Sequence, residues 1–260
     1  MTRPKALITG ASTGIGKVYA QKLAKRGYDL VLVARDRARL EQLAAELGKD
    51  GATAQVLVAD LTQAGDVTRV EQKLESDAAI SFFLNNAGIA TVEPQLETSV
   101  ETIEKLISLN VTAATRLALA AGRAFVAKKS GIIVNMASVV AINPERFNAV
   151  YSGSKAYLLA LSQALTRELT ENNVTIQTVC PGAVRTEIWE RAGVDLDARI
   201  PAERIMDAEE MVDAALKGLE LGERITIPSL PDAQDLADAE AARLKLGPNL
   251  SHNHAAARYR

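Results

Sequence analysis

Lys5-Ala6-Leu7-Ile8-Thr9-Gly10-Ala11-Ser12-Thr13-Gly14-Ile15-Gly16-Lys17 is the stretch on which the fold turns. A short apolar strand, Ala6 to Ile8, runs into Thr9-Gly10. Small residues follow, Ala11 to Thr13, then Gly14-Ile15-Gly16, and an amphipathic pattern begins. A strand that ends in glycines and turns directly into a helix N-terminus is built to hold a phosphate. Backbone N–H groups point out of such a turn, and the helix dipole favours negative charge there. Glycine lets a pyrophosphate approach the backbone where a Cβ would intrude. The spacing is G-x-x-x-G-x-G, not the general G-x-G-x-x-G. Alone the pattern is a weak signal, because a tight strand-to-helix connection can look the same.

Working outward, strand-like and helix-like segments alternate, the pattern of a parallel sheet with helices on both faces. Asp29 to Ala34 is a continuous apolar run, as expected of a strand buried on both sides. Asp36 is a cap for a helix carrying Leu40, Leu43 and Leu47 on one face. Further strands are predicted at 53–58, 80–84, 132–136, 174–179 and, last and short, 224–228. Helices are predicted at 15–26, 63–75, 99–126 (interrupted by Asn110), 151–171 and 207–220. In doubly wound sheets ligands bind outside the carboxyl ends of the strands. Gly10, Arg35, Asp60, Asn86 to Gly88, Ser138 and Pro181 to Thr186 all fall just past predicted strand ends.

The 260 residues suffice for one large domain, and no linker, repeat or low-complexity run divides them. A single domain over 1–260 is expected, with a loop over the site at about 183–206 and a tail at 231–260, acidic then basic. A net charge of −2 argues against a nucleic-acid surface. No apolar run approaches the roughly 18 residues of a membrane helix, and the N-terminus lacks a signal-peptide pattern. The single cysteine, Cys180, fits a reducing compartment. A soluble cytoplasmic protein is expected.

Tyr151 and Lys155 stand four apart on a predicted helix and share a face. A phenol has a pKa near 10, and a nearby ammonium lowers it toward general acid–base use. Such a pair also occurs by chance on surface helices, but here it follows Ser138, whose hydroxyl can bond a substrate carbonyl oxygen.

Thr9-Gly10-x-x-x-Gly14-Ile15-Gly16, Asn85-Asn86-Ala87-Gly88, Ser138, Tyr151-x-x-x-Lys155 and Pro181-Gly182-x-x-x-Thr186 stand in one order along the chain. In that order and spacing the sequence resembles the short-chain dehydrogenase/reductase family over about residues 5–230. The resemblance implies a Rossmann-like α/β fold: a doubly wound parallel sheet of about seven strands in three α/β/α layers. It implies that Gly10, Ser12, Gly14, Ile15 and Gly16 wrap the cofactor pyrophosphate and adenosine ribose. Asp60 and the Leu61 amide meet the adenine, and Asn86, Ala87 and Gly88 line the adenosine side. Tyr151 moves the proton, Ser138 orients the substrate oxygen, and Lys155 binds the nicotinamide ribose and lowers the Tyr151 pKa. Asn110 matches the family's helix-interrupting asparagine, which holds a water linking Lys155 to solvent. Pro181, Gly182, Val184 and Thr186 place the nicotinamide. Relatives pair the long helix and the Tyr151 helix between subunits, which implies a homodimer or homotetramer.

A carboxylate at the end of the second strand selects NAD through the ribose 2′-hydroxyl. That position reads Ala34, and Arg35 follows. A guanidinium binds a 2′-phosphate, so NADP(H) is expected to be preferred, with NAD(H) possible. Arg39 either assists or belongs to a solvated helix face. Asp36 stands adjacent, and Thr13 occupies the place where many NADP-using relatives carry a second basic residue. The expected activity is hydride transfer between nicotinamide and a carbonyl or secondary alcohol, with Tyr151 as general acid–base. The alternative is a non-catalytic dinucleotide-binding sensor or scaffold on the same fold.

Val139 to Phe147, including Val140, Glu145 and Arg146, and the loop around Ile188, Trp189 and Ala192 are expected to line the substrate pocket. Trp189 equally suits packing against the scaffold. These residues suggest a ketone or aldehyde with an apolar body and leave open a 3-oxoacyl thioester, a steroid, a sugar or a xenobiotic carbonyl. No metal is expected: His252 and His254 sit in a polar tail without ligand partners at metal spacing, and Cys180 reads as a core thiol.

Overall fold

The computed structural model describes residues 3–260; the side chain of Arg146, one of the expected pocket residues, lies outside the described residues. In chain order the first elements are β1 (Lys5–Thr9), α1 (Gly14–Lys25), β2 (Asp29–Ala34), α2 (Arg37–Lys49), β3 (Ala54–Val58), α3 (Ala64–Ser76) and β4 (Ile80–Asn85). There follow α4 (Val100–Ile107), a π-helical segment (Ser108–Ala113), α5 (Ala114–Lys128), β5 (Gly131–Met136), α6 (Ala149–Thr170) and β6 (Val174–Val179). The last elements are β7 (Ala183–Val184), α7 (Ile188–Arg191), α8 (Leu196–Arg199), β8 (Ile205–Met206), α9 (Ala208–Glu220), β9 (Ile225–Thr226) and α10 (Ala233–Lys245).

Seven strands form one sheet in the order β3-β2-β1-β4-β5-β6-β9, and every pairing is parallel. Alternation along the strands sends side chains to two separate cores. Ala6, Ile8, Leu30, Leu32, Phe82 and Leu84 pack with Tyr19 and Leu23 of α1, Leu40 and Leu43 of α2 and Met211 and Leu216 of α9. Leu7, Val31, Val33, Phe83 and Ile133 pack with Val67 and Val70 of α3 and Leu117 and Phe125 of α5. This is the three-layer arrangement expected from the alternating pattern. The strand order reverses between β1 and β4, so a crevice opens at the carboxyl edge there. Asn86 crosses that switch point, donating from Nδ2 to the Thr9 carbonyl at 2.9 Å.

The helix boundaries have local causes. Asp36 caps α2 by accepting from the Arg39 amide at 3.1 Å. Helix α6 starts at Ala149, before the expected Tyr151, because Asn148 Oδ1 accepts from the Tyr151 amide at 3.2 Å. The helix expected over 99–126 is α4 and α5 joined through the π segment that contains Asn110. The loop at about 183–206 holds more order than its mixed charge predicts. β7 pairs with β8 in a two-stranded parallel ladder, enclosing α7 and α8.

The chain divides into two compact units at Pro228/Ser229. The second, Ser229–Arg260, carries α10, whose cap Asp232 accepts from the Gln234 amide at 2.9 Å. No residue in it is buried, and the Ala-rich run has no apolar stripe to signal a helix in the sequence. Among the described residues no helix is long and apolar enough to cross a membrane.

Candidate active site

The crevice beside the switch point is a cleft of about 710 Å³. Of the residues singled out by sequence, Gly10, Ser12, Arg35, Asp60, Leu61, Ala87 and Gly88 line it. Gly10 has φ +67°, and a Cβ there would stand 2.8 Å from Asn86 Nδ2. A Cβ at Gly16 would overlap the Gly10 carbonyl. Gly14, Gly16 and Thr13 do not line the cleft. Gly16 is small so that α1 can seat against the turn, a packing requirement. Thr13 Oγ1 instead accepts from Arg191 Nη2 at 3.2 Å. Asp60 Oδ1 is engaged by the Thr62 amide at 3.0 Å and hydroxyl at 2.8 Å.

The cleft suits a dinucleotide on the structure's own terms. Its floor is a glycine turn at a helix N-terminus. At the end of β2, Arg35 has no hydrogen-bond or ion-pair partner among the described residues. The neighbouring Asp36 does not oppose it, because its carboxylate caps α2 and lies 3.4 Å from Arg39 Nε.

A second pocket of about 230 Å³ shares Gly88, Ala90 and Ile188 with the cleft. Ile15, Asn86, Ser138, Val140, Tyr151, Lys155, Pro181, Gly182, Val184, Thr186 and Trp189 line it, as do Phe147 and Ile200. Ile200 carried no sequence signal; folding of the 183–206 loop alone brings it there. Trp189 both packs and lines: its Nε1 donates to the Val184 carbonyl at 2.9 Å, and its ring meets Phe147 edge-on at 6.2 Å. Phe147 meets the Tyr151 ring in turn at 5.3 Å. With the indole N–H taken, this wall offers apolar surface.

Tyr151, Ser138 and Lys155 converge at the bottom. Burial pushes the Tyr151 phenol up to about 12, against a hydrogen bond with the Ser138 hydroxyl that pulls the other way. Burial likewise brings the Lys155 amine down to about 8, and the field of Cys180 opposes this. Lys155 Nζ donates to the Met136 carbonyl at 2.8 Å and lies 5.6 Å from the Tyr151 ring centre. The expected lowering of the Tyr151 pKa by Lys155 is therefore not what this arrangement produces. Desolvation of the phenol outweighs an ammonium that is itself desolvated and bonded elsewhere.

Asn110 lies outside both pockets. Its Nδ2 donates to the Ile89 carbonyl at 2.9 Å and to Ser154 Oγ at 3.2 Å, and its Oδ1 accepts from the Ile89 amide at 3.0 Å. It ties the loop after β4 to α6, and the π turn gives it the reach. The described residues contain no cluster of side chains able to hold a metal ion.

A glycine turn at a helix N-terminus, a cleft at the switch point and a half-buried tyrosine beside a buried serine and lysine define a dinucleotide-dependent oxidoreductase. Residues 4–196 match the short chain dehydrogenase family. A solved short-chain dehydrogenase from Sphingobium yanoikuyae, in complex with NADPH, is 46% identical, with a TM-score of 0.94 and coverage of 98% of this chain and 100% of that one. A bulky-bulky ketone specific alcohol dehydrogenase from Comamonas testosteroni is 40% identical, with a TM-score of 0.91 and coverage of 100% and 99%. A galactitol 2-dehydrogenase (L-tagatose-forming) from Cereibacter sphaeroides is 36% identical over 185 residues, 70% of this chain and 72% of that protein. The chain belongs to the short chain dehydrogenase family. It is an oxidoreductase acting on CH–OH and C=O groups.

Proposed function

We propose that the protein is an NADP(H)-dependent reductase of ketones or aldehydes with an apolar body, and the corresponding alcohol dehydrogenase in reverse. The observation that carries this reading is the convergence of Ser138, Tyr151 and Lys155 on one apolar pocket that opens into the larger cleft. Bound NADPH supplies the hydride, and NADP⁺ accepts it in the reverse direction. Tyr151 and Ser138 donate hydrogen bonds to the substrate oxygen, and Tyr151 passes its phenolic proton to that oxygen as the alcohol forms. A phenol held protonated suits reduction, whereas oxidation needs it deprotonated and so accelerates with rising pH. Lys155 binds the nicotinamide ribose. Gly10, Ser12 and Ile15 receive the pyrophosphate, Asp60 and Leu61 the adenine, and Pro181, Gly182, Val184 and Thr186 the nicotinamide. Arg35, without a partner among the described residues and beside an Asp36 carboxylate engaged by α2 and Arg39, supports NADP(H), as do relatives solved with NADPH. The apolar walls at Val140, Phe147, Trp189 and Ile200, and the relative specific for bulky-bulky ketones, support the substrate class. A scaffold would have no use for a proton donor lining such a pocket. We further propose a cytoplasmic protein that works as a homodimer or homotetramer.

Oxidation of NADPH, then NADH, against a panel of carbonyl compounds tests this reading. Tyr151→Phe should lower kcat about 10²–10⁴-fold while NADPH still binds. Undiminished turnover by Tyr151→Phe sinks the mechanism, and equal kcat/KM with the two cofactors sinks the NADP(H) preference.

A further inference from the structure

At the mouth of the cleft, arginines from opposite walls meet on one carboxylate oxygen. Arg39, in the first turn of α2, donates to Glu187 Oε2 at 2.5 Å, and Arg191, on α7, reaches the same oxygen at 3.1 Å. Hydrogen bonding from Arg39, opposed by partial burial and reinforced by the field of both arginines, holds the Glu187 carboxyl below its usual range. Arg191 also donates to Thr13 Oγ1 in the glycine turn at 3.2 Å. The base of this loop rests on the same turn, since a Cβ on Gly14 would lie 3.1 Å from Thr186 Cβ. Arg35, Arg39 and Arg191 all line the cleft. Two guanidiniums sharing one anion, beside a third with no anionic partner among the described residues, form an anion site whose present anion belongs to the chain itself.

We propose that Arg191 binds the 2′-phosphate of the cofactor together with Arg35 and Arg39, and that Glu187 stands in for that phosphate until the cofactor arrives. The proposal rests on the NADP(H) reading above. A phosphate monoester carries about −1.5 to −2 charge and three acceptor oxygens, so it outcompetes a single carboxylate for these arginines. Thr13 is uncharged, and Arg191 brings a positive charge to the glycine turn from the opposite wall by donating to the Thr13 hydroxyl. Because α7 carries both Arg191 and Trp189, phosphate capture at the cleft mouth fixes a wall of the substrate pocket.

Trp189 is the one tryptophan of the chain, so its emission reports on α7 alone. The test titrates the full-length protein with adenosine 2′,5′-bisphosphate and with 5′-AMP, following heat and Trp189 emission. Arg191→Ala should weaken bisphosphate binding about tenfold, a change of about 1.4 kcal/mol, and leave 5′-AMP binding within about twofold as proof of folding. Glu187→Gln should tighten bisphosphate binding severalfold. Unchanged bisphosphate affinity in Arg191→Ala, or weakened affinity in Glu187→Gln, overturns the proposal. An emission change equal for the two ligands overturns the link from phosphate to α7. A wild-type protein that does not prefer the bisphosphate defeats the NADP(H) reading itself, a distinct result.

Discussion

Lys155 is the residue at which function and stability pull apart. Folding buries its amine, so the folded protein binds the proton less tightly than the unfolded chain, about 8 against 10.5. The unfolded state holds more protons between those values, so stability rises with pH across that window. Lys155→Met removes the buried charge and orphans only the Met136 carbonyl. At pH 7 this variant should be more stable than wild type by about 2 kcal/mol, the desolvation relieved less one lost hydrogen bond. The gap should close as pH rises from 8 to 10.5. Tyr151, whose own shift acts at higher pH, cancels because both proteins carry it. Urea unfolding at pH 7 and pH 10 checks this, and a variant less stable than wild type at pH 7 counts against it. At this scale the sequence was informative about which residues meet, because strand ends and a helical i, i+4 pair locate them. It was uninformative about the Tyr151 pKa, which depends on how completely Phe147, Trp189 and the 183–206 loop exclude water. Arg191 and Glu187 were equally hidden, since a pair of charges in a loop has no period to read.

Elements were legible wherever burial imposes a pattern. Asp29 to Ala34 reads as a doubly buried strand because both faces are covered, and the α2 boundary reads from Asp36 because a cap is a local hydrogen bond. β7 and β8 are too short to carry alternation, and α10 buries nothing, so neither leaves a signal. Asn110 marked an interruption in the long helix, but the π geometry that turns its side chain toward Ile89 arises only with the tertiary contact. Helix α1 carries an imperfection of its own. Tyr19 is fully buried among the core side chains of α1, α2 and α9, and its hydroxyl has no partner among the described residues. An orphaned buried hydroxyl costs about 1–3 kcal/mol in desolvation. Tyr19→Phe should therefore raise stability by about 1 kcal/mol, seen as a higher urea midpoint at unchanged m-value. A lowered midpoint would mean that the hydroxyl is satisfied.

On the scale of the whole molecule, the sheet faces differ in what lies behind their helices. α3, α5 and α6 cover one face, and α4 packs on α6. Away from the sheet this helical layer leaves Ile107, Leu119 and Tyr157 exposed at 43%, 37% and 40%. The Thr115 hydroxyl joins the Tyr157 hydroxyl at 2.9 Å, which braces α5 against α6 across this surface. Three large apolar side chains on adjacent helices make a patch of the kind that marks an association surface. Tyr151 and Lys155 lie on the same α6 as Tyr157, so a partner there would stiffen the helix that holds the proton donor. The proposed dimer should therefore form through this face. A two-fold axis places every substitution on it twice. Tyr157→Glu would set two carboxylates into an apolar contact, at a cost of about 3 kcal/mol or more, or a dissociation constant raised at least about 100-fold. Sedimentation of wild type should give twice the monomer mass or a multiple of it, and Tyr157→Glu should shift it toward the next smaller species. An unchanged assembly in Tyr157→Glu moves the interface to another face and leaves α6 supported by its own subunit alone.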